Sequence, residues 1–249
     1  MASEDGRAGD RGPDATHARV PAGSRLKGLL VDYGGVLTTS PFGSFAEFCT
    51  QEGLATETVA RSLRSDPRCR QLLIGLETGR LPEKEFESDL AAILGVSAPD
   101  LIARMFAGSR PDSTMASAVR AARRAGVRTA LVSNSWGSGG YDRALLKELF
   151  DAVVISGEVG IRKPAPDIYL LAARRIDVPP QQCVFVDDLA FNLEPAAELG
   201  MVTIHHVTSD QTVAELESLL GGAKSAGLAS RATHSGRGQV RQAGGRPVG

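Results

Sequence analysis

The sequence predicts an α/β protein: a parallel sheet covered by helices on both faces, with an α-helical segment inserted after the first strand. Three observations carry this expectation. From Pro111 onward, short apolar runs alternate with stretches of helical periodicity. Strands that alternate with helices form parallel sheets whose strands are buried on both sides. Between about Ser40 and Arg110 no period-2 run occurs, and apolar residues recur only at helical spacing.

Taken in order, residues 1–24 are rich in Gly, Ala, Asp and Arg with hardly any large apolar side chain, so this tail is expected to be disordered. The first strand is expected over about Leu26 to Val31. Residues 40–110 read as a helical cap. Phe45, Phe48 and Cys49 lie at i, i+3, i+4, and Phe86, Leu90 and Ile93-Leu94 form a second face that Gly95 ends, with Pro82 suited to its first turn. Pro99-Asp100 opens a short helix through Phe106. Residues 25–39 and 111–222 form the expected core. In it, a helix on Met115, Val119 and Ala122 stops at Gly126, and the strand Arg128 to Ser133 follows. Next come a helix from Ala144 to Phe150, the strand Ala152 to Ile155, a helix from Pro166 to Arg175, and the strand Cys183 to Val186 ending in Asp187-Asp188. A helix from Leu193 to Leu199, the strand Met201 to Ile204 and a helix from Val213 to Leu220 complete it. Residues 223–249 are basic and Gly/Ala/Ser-rich, and read as a disordered, solvated tail.

Composition narrows the function classes. An apolar content of 42% suffices for a proper core, and a net charge of −1 gives no general argument for nucleic acid or membrane surfaces. No apolar run reaches the ~18 residues of a membrane span. Cys49, Cys69 and Cys183 are too widely spaced for a metal-ligand pattern and read as free thiols of a reducing, cytoplasmic compartment.

The chemistry gathers on Val31-Asp32-Tyr33-Gly34-Gly35-Val36-Leu37-Thr38. A carboxylate at the end of a buried strand, followed by a Gly-rich turn, sits where open α/β sheets bind ligands. Two more strands end in polar residues, Ser133-Asn134-Ser135 and Asp187-Asp188, and Lys163 precedes a helix start. In a parallel sheet these strand ends share one edge, so carboxylates, a hydroxyl and an ammonium can meet in one crevice. This set suits phosphoryl transfer. Asp32 is a candidate nucleophile, Ser133 with neighbouring backbone N–H groups can hold phosphate oxygens, and Lys163 can neutralise their charge. Asp32 and Asp188 can hold Mg2+ through oxygen ligands.

Four stretches together resemble the motifs of the haloacid dehalogenase-like hydrolase superfamily: Asp32-Tyr33-Gly34-Gly35-Val36-Leu37, Leu131-Val132-Ser133-Asn134, Gly160-Ile161-Arg162-Lys163-Pro164, and Val186-Asp187-Asp188 with Asn192. Within it, the run from Val184 through Ile204 is similar to the amino-terminal phosphatase domain of soluble epoxide hydrolases. The resemblance covers about residues 26–220. It implies a Rossmann-like core with an inserted helical cap, and an Mg2+-dependent phosphohydrolase acting on a small phosphorylated metabolite through an aspartyl-phosphate. It further implies that Asp32 and Lys163 are catalytic and that Ser133, Asn134 and Lys163 bind substrate. Asp32, Asp188 and the carbonyl of Gly34 would hold the metal. The sequence departs from the pattern at Gly34, where most phosphatases of the superfamily carry the Asp that protonates the leaving group. Loss of a general acid–base lowers a rate by about 10²- to 10⁴-fold. The alternatives are a non-catalytic phosphate-ligand-binding protein of the same fold, or a dehalogenase or phosphonate hydrolase using the same Asp32. Asp187-Asp188 argues against the dehalogenase route, which needs no Mg2+.

Other residues invite weighing. Thr38 is a possible substitute for the absent acid. Trp136 is expected to line the site entrance, because Gly137-Ser138-Gly139-Gly140 loosens its loop. Lys84, among Glu83, Glu85 and Glu87, reads as a solvated face rather than a Schiff-base lysine. His205 and His206 are adjacent on a strand, so they point to opposite faces and do not read as a metal pair. Asn192 either orients the metal shell or caps its helix.

Overall fold

The computed structural model describes residues 26–137 and 139–221. The two expected tails, 1–24 and 223–249, lie outside the described residues. Five parallel strands form one sheet: β1 (Gly28–Val31), β2 (Arg128–Ser133), β3 (Ala152–Ile155), β4 (Cys183–Asp187) and β5 (Val202–His205), in the order β3-β2-β1-β4-β5. Eleven α-helices accompany them among the described residues. Those of the insertion are α1 (Pro41–Gln51), α2 (Thr58–Ser65), α3 (Pro67–Glu77), α4 (Glu83–Leu94) and α5 (Leu101–Met105). Those around the sheet are α6 (Ser113–Arg124), α7 (Arg143–Leu149), α8 (Ser156–Val159), α9 (Pro166–Arg175), α10 (Ala190–Glu198) and α11 (Ser209–Leu220).

The central strands are apolar throughout because both of their faces are covered. Along β1, Leu29 and Val31 join a cluster with Val184, Val186 and Leu131, closed by Met115 and Val119 of α6 and Leu216 of α11. Leu30 points the other way, to Phe185, Ala130 and Val132, under Ile168 and Tyr169 of α9. The period-2 alternation of strand side chains thus divides one run of residues between two cores. Each fully buried Leu or Val contributes about 1.5–3 kcal/mol, so the middle of the sheet is the firm part of the molecule.

The insertion has a third core of its own, built from Phe45, Phe48, Cys49, Val59, Cys69, Phe86, Leu90, Leu101 and Met105. Its outgoing and returning chains run side by side: Thr39 N–H donates to the Arg110 carbonyl at 2.8 Å, and Thr38 bridges Pro111. Two of its helices, α2 and α3, are not anticipated by the sequence reading. Their apolar residues, Val59 and Leu63, then Cys69, Leu72, Leu73 and Leu76, are interleaved with Arg61, Arg64, Arg68 and Arg70, which obscure the periodicity. The side chain of Asp66 separates the pair, accepting from Arg68 N–H at 2.8 Å as the N-cap of α3.

Candidate active site

Asp32 directly follows β1, and its N–H donates to the Val186 carbonyl at 3.0 Å, which sets the end of β1 beside the end of β4. Ser133 closes β2 on the other side. Lys163 Nζ lies 2.7 Å from Asp32 Oδ1 and 2.6 Å from Asp187 Oδ2, with the lysine side chain 1% exposed. Single carboxylate oxygens of Asp32, Asp187 and Asp188 all lie within 4.8 Å of one another. The ends of β1, β2 and β4 therefore bring Asp32, Ser133 and Asp188 to one sheet edge, and the loop between α8 and α9 brings Lys163 to them.

The turn after Asp32 has to be glycine at one position. Gly35 has φ +82°, and a Cβ there would lie 2.1 Å from Asp188 Oδ2. The turn is pressed against that carboxylate, and only Gly combines the conformation with the approach. Gly34 meets no such wall, since its nearest neighbour would be Pro41 Cγ at 3.2 Å.

The pattern of the haloacid dehalogenase-like hydrolases matches residues 26–200, which include all of these positions. The chain belongs to this family. The haloacid dehalogenase-like chain is 30% identical to rat bifunctional epoxide hydrolase 2 over 132 residues, half of this chain and 24% of that one. It is 46% identical to the fructose-1-phosphate phosphatase YqaB of Escherichia coli over 56 residues, 22% of this chain and 30% of that one. The chain spans only about a fifth to a quarter of the length of the first curated relatives that it matches. Among solved structures, a family member from Bacteroides thetaiotaomicron, in complex with magnesium and inorganic phosphate, superposes with a TM-score of 0.54 at 22% identity, covering 72% of this chain and 93% of that one. That likeness is one of fold.

Within the hydrolase site, the two adjacent carboxylates of the fourth motif have different surroundings. Asp187 is fully buried and saturated: it accepts from Lys163 Nζ, from Asn192 Nδ2 at 2.9 and 3.1 Å, and from Leu189 N–H at 2.9 Å. Its place is structural, as the anchor of Lys163, and Asn192 serves it in turn. Asp188 is only half-buried, against Gly35, and its backbone carbonyl meets His205 Nε2 at 3.0 Å.

Electrostatics tests the site for a cation. Burial pushes the Asp32 carboxyl up to about 7, overcoming the opposite pull of Lys163, while Asp187 and Asp188 push further the same way. Burial, then Asp187, pushes Asp188 up to about 6. Burial by itself would lower the Lys163 ammonium, but Asp32 and Asp187 outweigh it and hold the group above its ordinary value. Three carboxylates facing one ammonium leave the edge short of positive charge. Clustered hard oxygen donors with such a deficit fit Mg2+; Asp32 and Asp188 would be its side-chain ligands, because Asp187 is already engaged.

The other candidates take defined places. Asn134 clamps the Lys163 backbone with its side chain: Oδ1 accepts from Lys163 N–H at 2.8 Å and Nδ2 donates to the Lys163 carbonyl at 3.1 Å. The amide thereby orients the lysine, and a contact of Asn134 with substrate would fall to its backbone N–H. Trp136, half-buried, packs against the core of the insertion, with ring centroids 5.4 Å from Phe45, 5.3 Å from Phe106 and 5.9 Å from Phe86. Thr38 donates its hydroxyl to the Thr39 carbonyl at 3.1 Å, beside the bridge to Pro111, which does not aim it at a leaving group. Lys84 is exposed on α4. His205 and His206 have separate partners, the Asp188 carbonyl and Thr212 Oγ1.

Three residues at the site were not singled out in the sequence. Tyr141 places its hydroxyl 2.9 Å from Ser133 Oγ. Glu77, at the end of α3, reaches Arg162 Nε at 2.5 Å and joins the insertion to the loop that holds Lys163. Only Arg162 could have been found, as the neighbour of Lys163 within the third motif.

Proposed function

We propose that this hydrolase is an Mg2+-dependent phosphatase for a small phosphorylated metabolite, with residues 40–110 acting as a cap over a core of residues 25–39 and 111–222. The single observation that carries this reading is the convergence of Asp32, Lys163 and Asp188 on one sheet edge beside Ser133. The Asp32 carboxylate attacks phosphorus, the bond to the leaving oxygen breaks, and an aspartyl-phosphate forms, to be hydrolysed by water. Lys163 holds negative charge on the phosphoryl oxygens, and the Ser133 hydroxyl donates to one of them. Bound by Asp32, Asp188 and the Gly34 carbonyl, Mg2+ would supply further charge neutralisation. The leaving oxygen lacks an evident proton donor because residue 34 is glycine, so alkyl phosphates turn over slowly and acyl or activated aryl phosphates faster. A phosphatase among the relatives and a magnesium–phosphate complex among the fold neighbours support the substrate class.

The test compares acetyl phosphate and p-nitrophenyl phosphate with and without Mg2+. Asp32→Asn is expected to remove turnover of both, and Asp188→Ala to remove the Mg2+-dependent rise in melting temperature. Wild-type turnover retained in Asp32→Asn overturns the covalent route. The glycine at position 34 favours one second reading, a non-catalytic protein that binds phosphate ligands. Phosphate binding without turnover of even acetyl phosphate would select it.

A further inference from the structure

We propose that Tyr141 is a positioning residue that fixes Ser133 as a hydrogen-bond donor toward the phosphoryl group, a role that rests on the phosphatase reading above. Its place is built by three contacts. Asp142, the next residue, caps α7 by accepting from the N–H groups of Ala144 and Leu145, both at 3.0 Å. The Tyr141 ring lies against Tyr33 with centroids 4.9 Å apart, and the Arg143 guanidinium lies over it, 5.4 Å from the centroid. Tyr33 is bonded to Asp32 and donates its N–H to Asp32 Oδ1 at 2.6 Å. Tyr141 is thereby held between the nucleophile's neighbour and the helix that follows β2.

From there its hydroxyl meets Ser133 Oγ at 2.9 Å, and Ser133 is 2% exposed. Each hydroxyl has one proton and can accept as well, so one of the two must donate. A phenol is the stronger acid and the better donor. Burial holds the Tyr141 proton on, with the Ser133 hydrogen bond pulling the other way and the charge of Asp32 assisting. Tyr141 therefore donates to Ser133 Oγ, and the single Ser133 proton is left for an outside acceptor. A phosphoryl oxygen at this strand end is such an acceptor, and it cannot donate back. The chain Tyr141 O–H to Ser133 O–H to phosphoryl oxygen runs in one direction, each link polarising the next. Without Tyr141 the serine hydroxyl is free to rotate and is aimed less well.

The experiment measures hydrolysis of p-nitrophenyl phosphate and calorimetric binding of inorganic phosphate, both with Mg2+, in wild type, Tyr141→Phe, Ser133→Ala and the double variant. Phenylalanine keeps the ring against Tyr33, so melting temperatures should stay within a few degrees. Tyr141→Phe is expected to weaken phosphate binding and kcat/KM by about five- to tenfold, the size of one hydrogen bond. In the Ser133→Ala background the same change should have less than about twofold effect, because there is no serine proton left to direct. In a Ser133→Thr background, which restores a hydroxyl, the Tyr141→Phe effect should return. Equal effects of Tyr141→Phe with and without the serine hydroxyl, or none in the otherwise wild-type chain, would overturn the proposal while leaving the phosphatase reading intact. A wild-type chain that neither hydrolyses p-nitrophenyl phosphate nor binds phosphate would overturn both.

Discussion

The sheet edge and the helical insertion are held together by opposite means. At the edge, Asp32, Lys163 and Asp187 are buried polar groups that satisfy one another; the two carboxylates stand at strand ends locked into a ladder, and Asn134 clamps the loop that carries the lysine. In the insertion, the core is apolar and aromatic, and Trp136 packs against it from the loop after β2, on Phe45, Phe86 and Phe106. Removing an aromatic side chain leaves a hole that neighbours can partly fill. Removing one member of a buried charge network leaves its partners desolvated and unpaired. The difference assigns the two regions different work: the edge holds its charged groups in a closed network, and the insertion is seated mainly by apolar packing, with Glu77–Arg162 as an ionic tie to the loop of Lys163.

That contrast is broken or sharpened by a pair of substitutions. Asp187→Ala strands Lys163 with one carboxylate and leaves Asn192 and the Leu189 N–H without their acceptor. It should destabilise the protein by about 3–5 kcal/mol in urea denaturation, and should diminish the Mg2+-dependent rise in melting temperature as Lys163 moves fully onto Asp32. Trp136→Ala should be milder, about 3 kcal/mol, and should leave the Mg2+ response in place because the ring partners of the indole are Phe45, Phe86 and Phe106 of the insertion. If Trp136→Ala abolishes the Mg2+ response as completely as Asp187→Ala does, the two regions are one cooperative unit and the contrast fails.

The same contrast explains what could be read in the sequence. Buried parallel strands are short apolar runs, so β1 to β5 are all legible, and β2 and β3 match their expected limits residue for residue. The edge chemistry is legible too, because strand ends force Asp32, Ser133 and Asp187-Asp188 together whatever the loops do. Side-chain direction is not legible. Nothing in Ser133-Asn134 shows that one polar group stays on the site while the other turns to clamp Lys163. Trp136 and Tyr141 are both aromatic residues of one Gly-rich loop, yet one packs against the insertion and the other meets Ser133. Only the tertiary arrangement distinguishes them.

The seam between the regions is expected to respond to pH. Glu77 on α3 faces Arg162, and burial pushes its carboxyl up to about 7 from an ordinary 4.5, despite the opposing pull of Arg162 and Lys163. Between those values the folded chain holds a proton that the unfolded chain has lost. Stability from this group is therefore present below pH ~4.5 and declines as the pH rises through about 7. Glu77→Gln stays uncharged at every pH and removes that decline. The stability difference between wild type and Glu77→Gln should change by roughly 2 kcal/mol between pH 5 and pH 8, in favour of the variant at pH 8. Arg162, a quarter exposed, can turn to solvent when its partner is neutral. Parallel pH profiles for the two proteins would refute a buried, titrating Glu77.

The smallest effect on stability is expected where the two regions touch at Gly34. A Cβ there would lie 3.2 Å from Pro41 Cγ, the first residue of α1, so the proline ring must yield by a few tenths of an ångström. The residue needs no left-handed backbone, unlike Gly35, where a Cβ would meet the Asp188 carboxylate. Gly34→Asp should therefore lower stability by about 1 kcal/mol or less, whereas Gly35→Ala should also displace Asp188 and weaken the Mg2+ response. The new carboxylate would stand in the turn beside Asp32, where a proton donor for the leaving oxygen is wanting. An alkyl phosphate leaves as a poor, basic alkoxide and gains from protonation. Acetyl phosphate leaves as acetate and gains little. Gly34→Asp should thus raise alkyl phosphate hydrolysis by at least about tenfold, a part of the about 10²- to 10⁴-fold available to a general acid, and change acetyl phosphate hydrolysis by less than about twofold. An equal change on both substrates would show that position 34 acts through the seating of α1 against the turn rather than through a proton, and the division of labour between edge and insertion would have to be redrawn at Pro41.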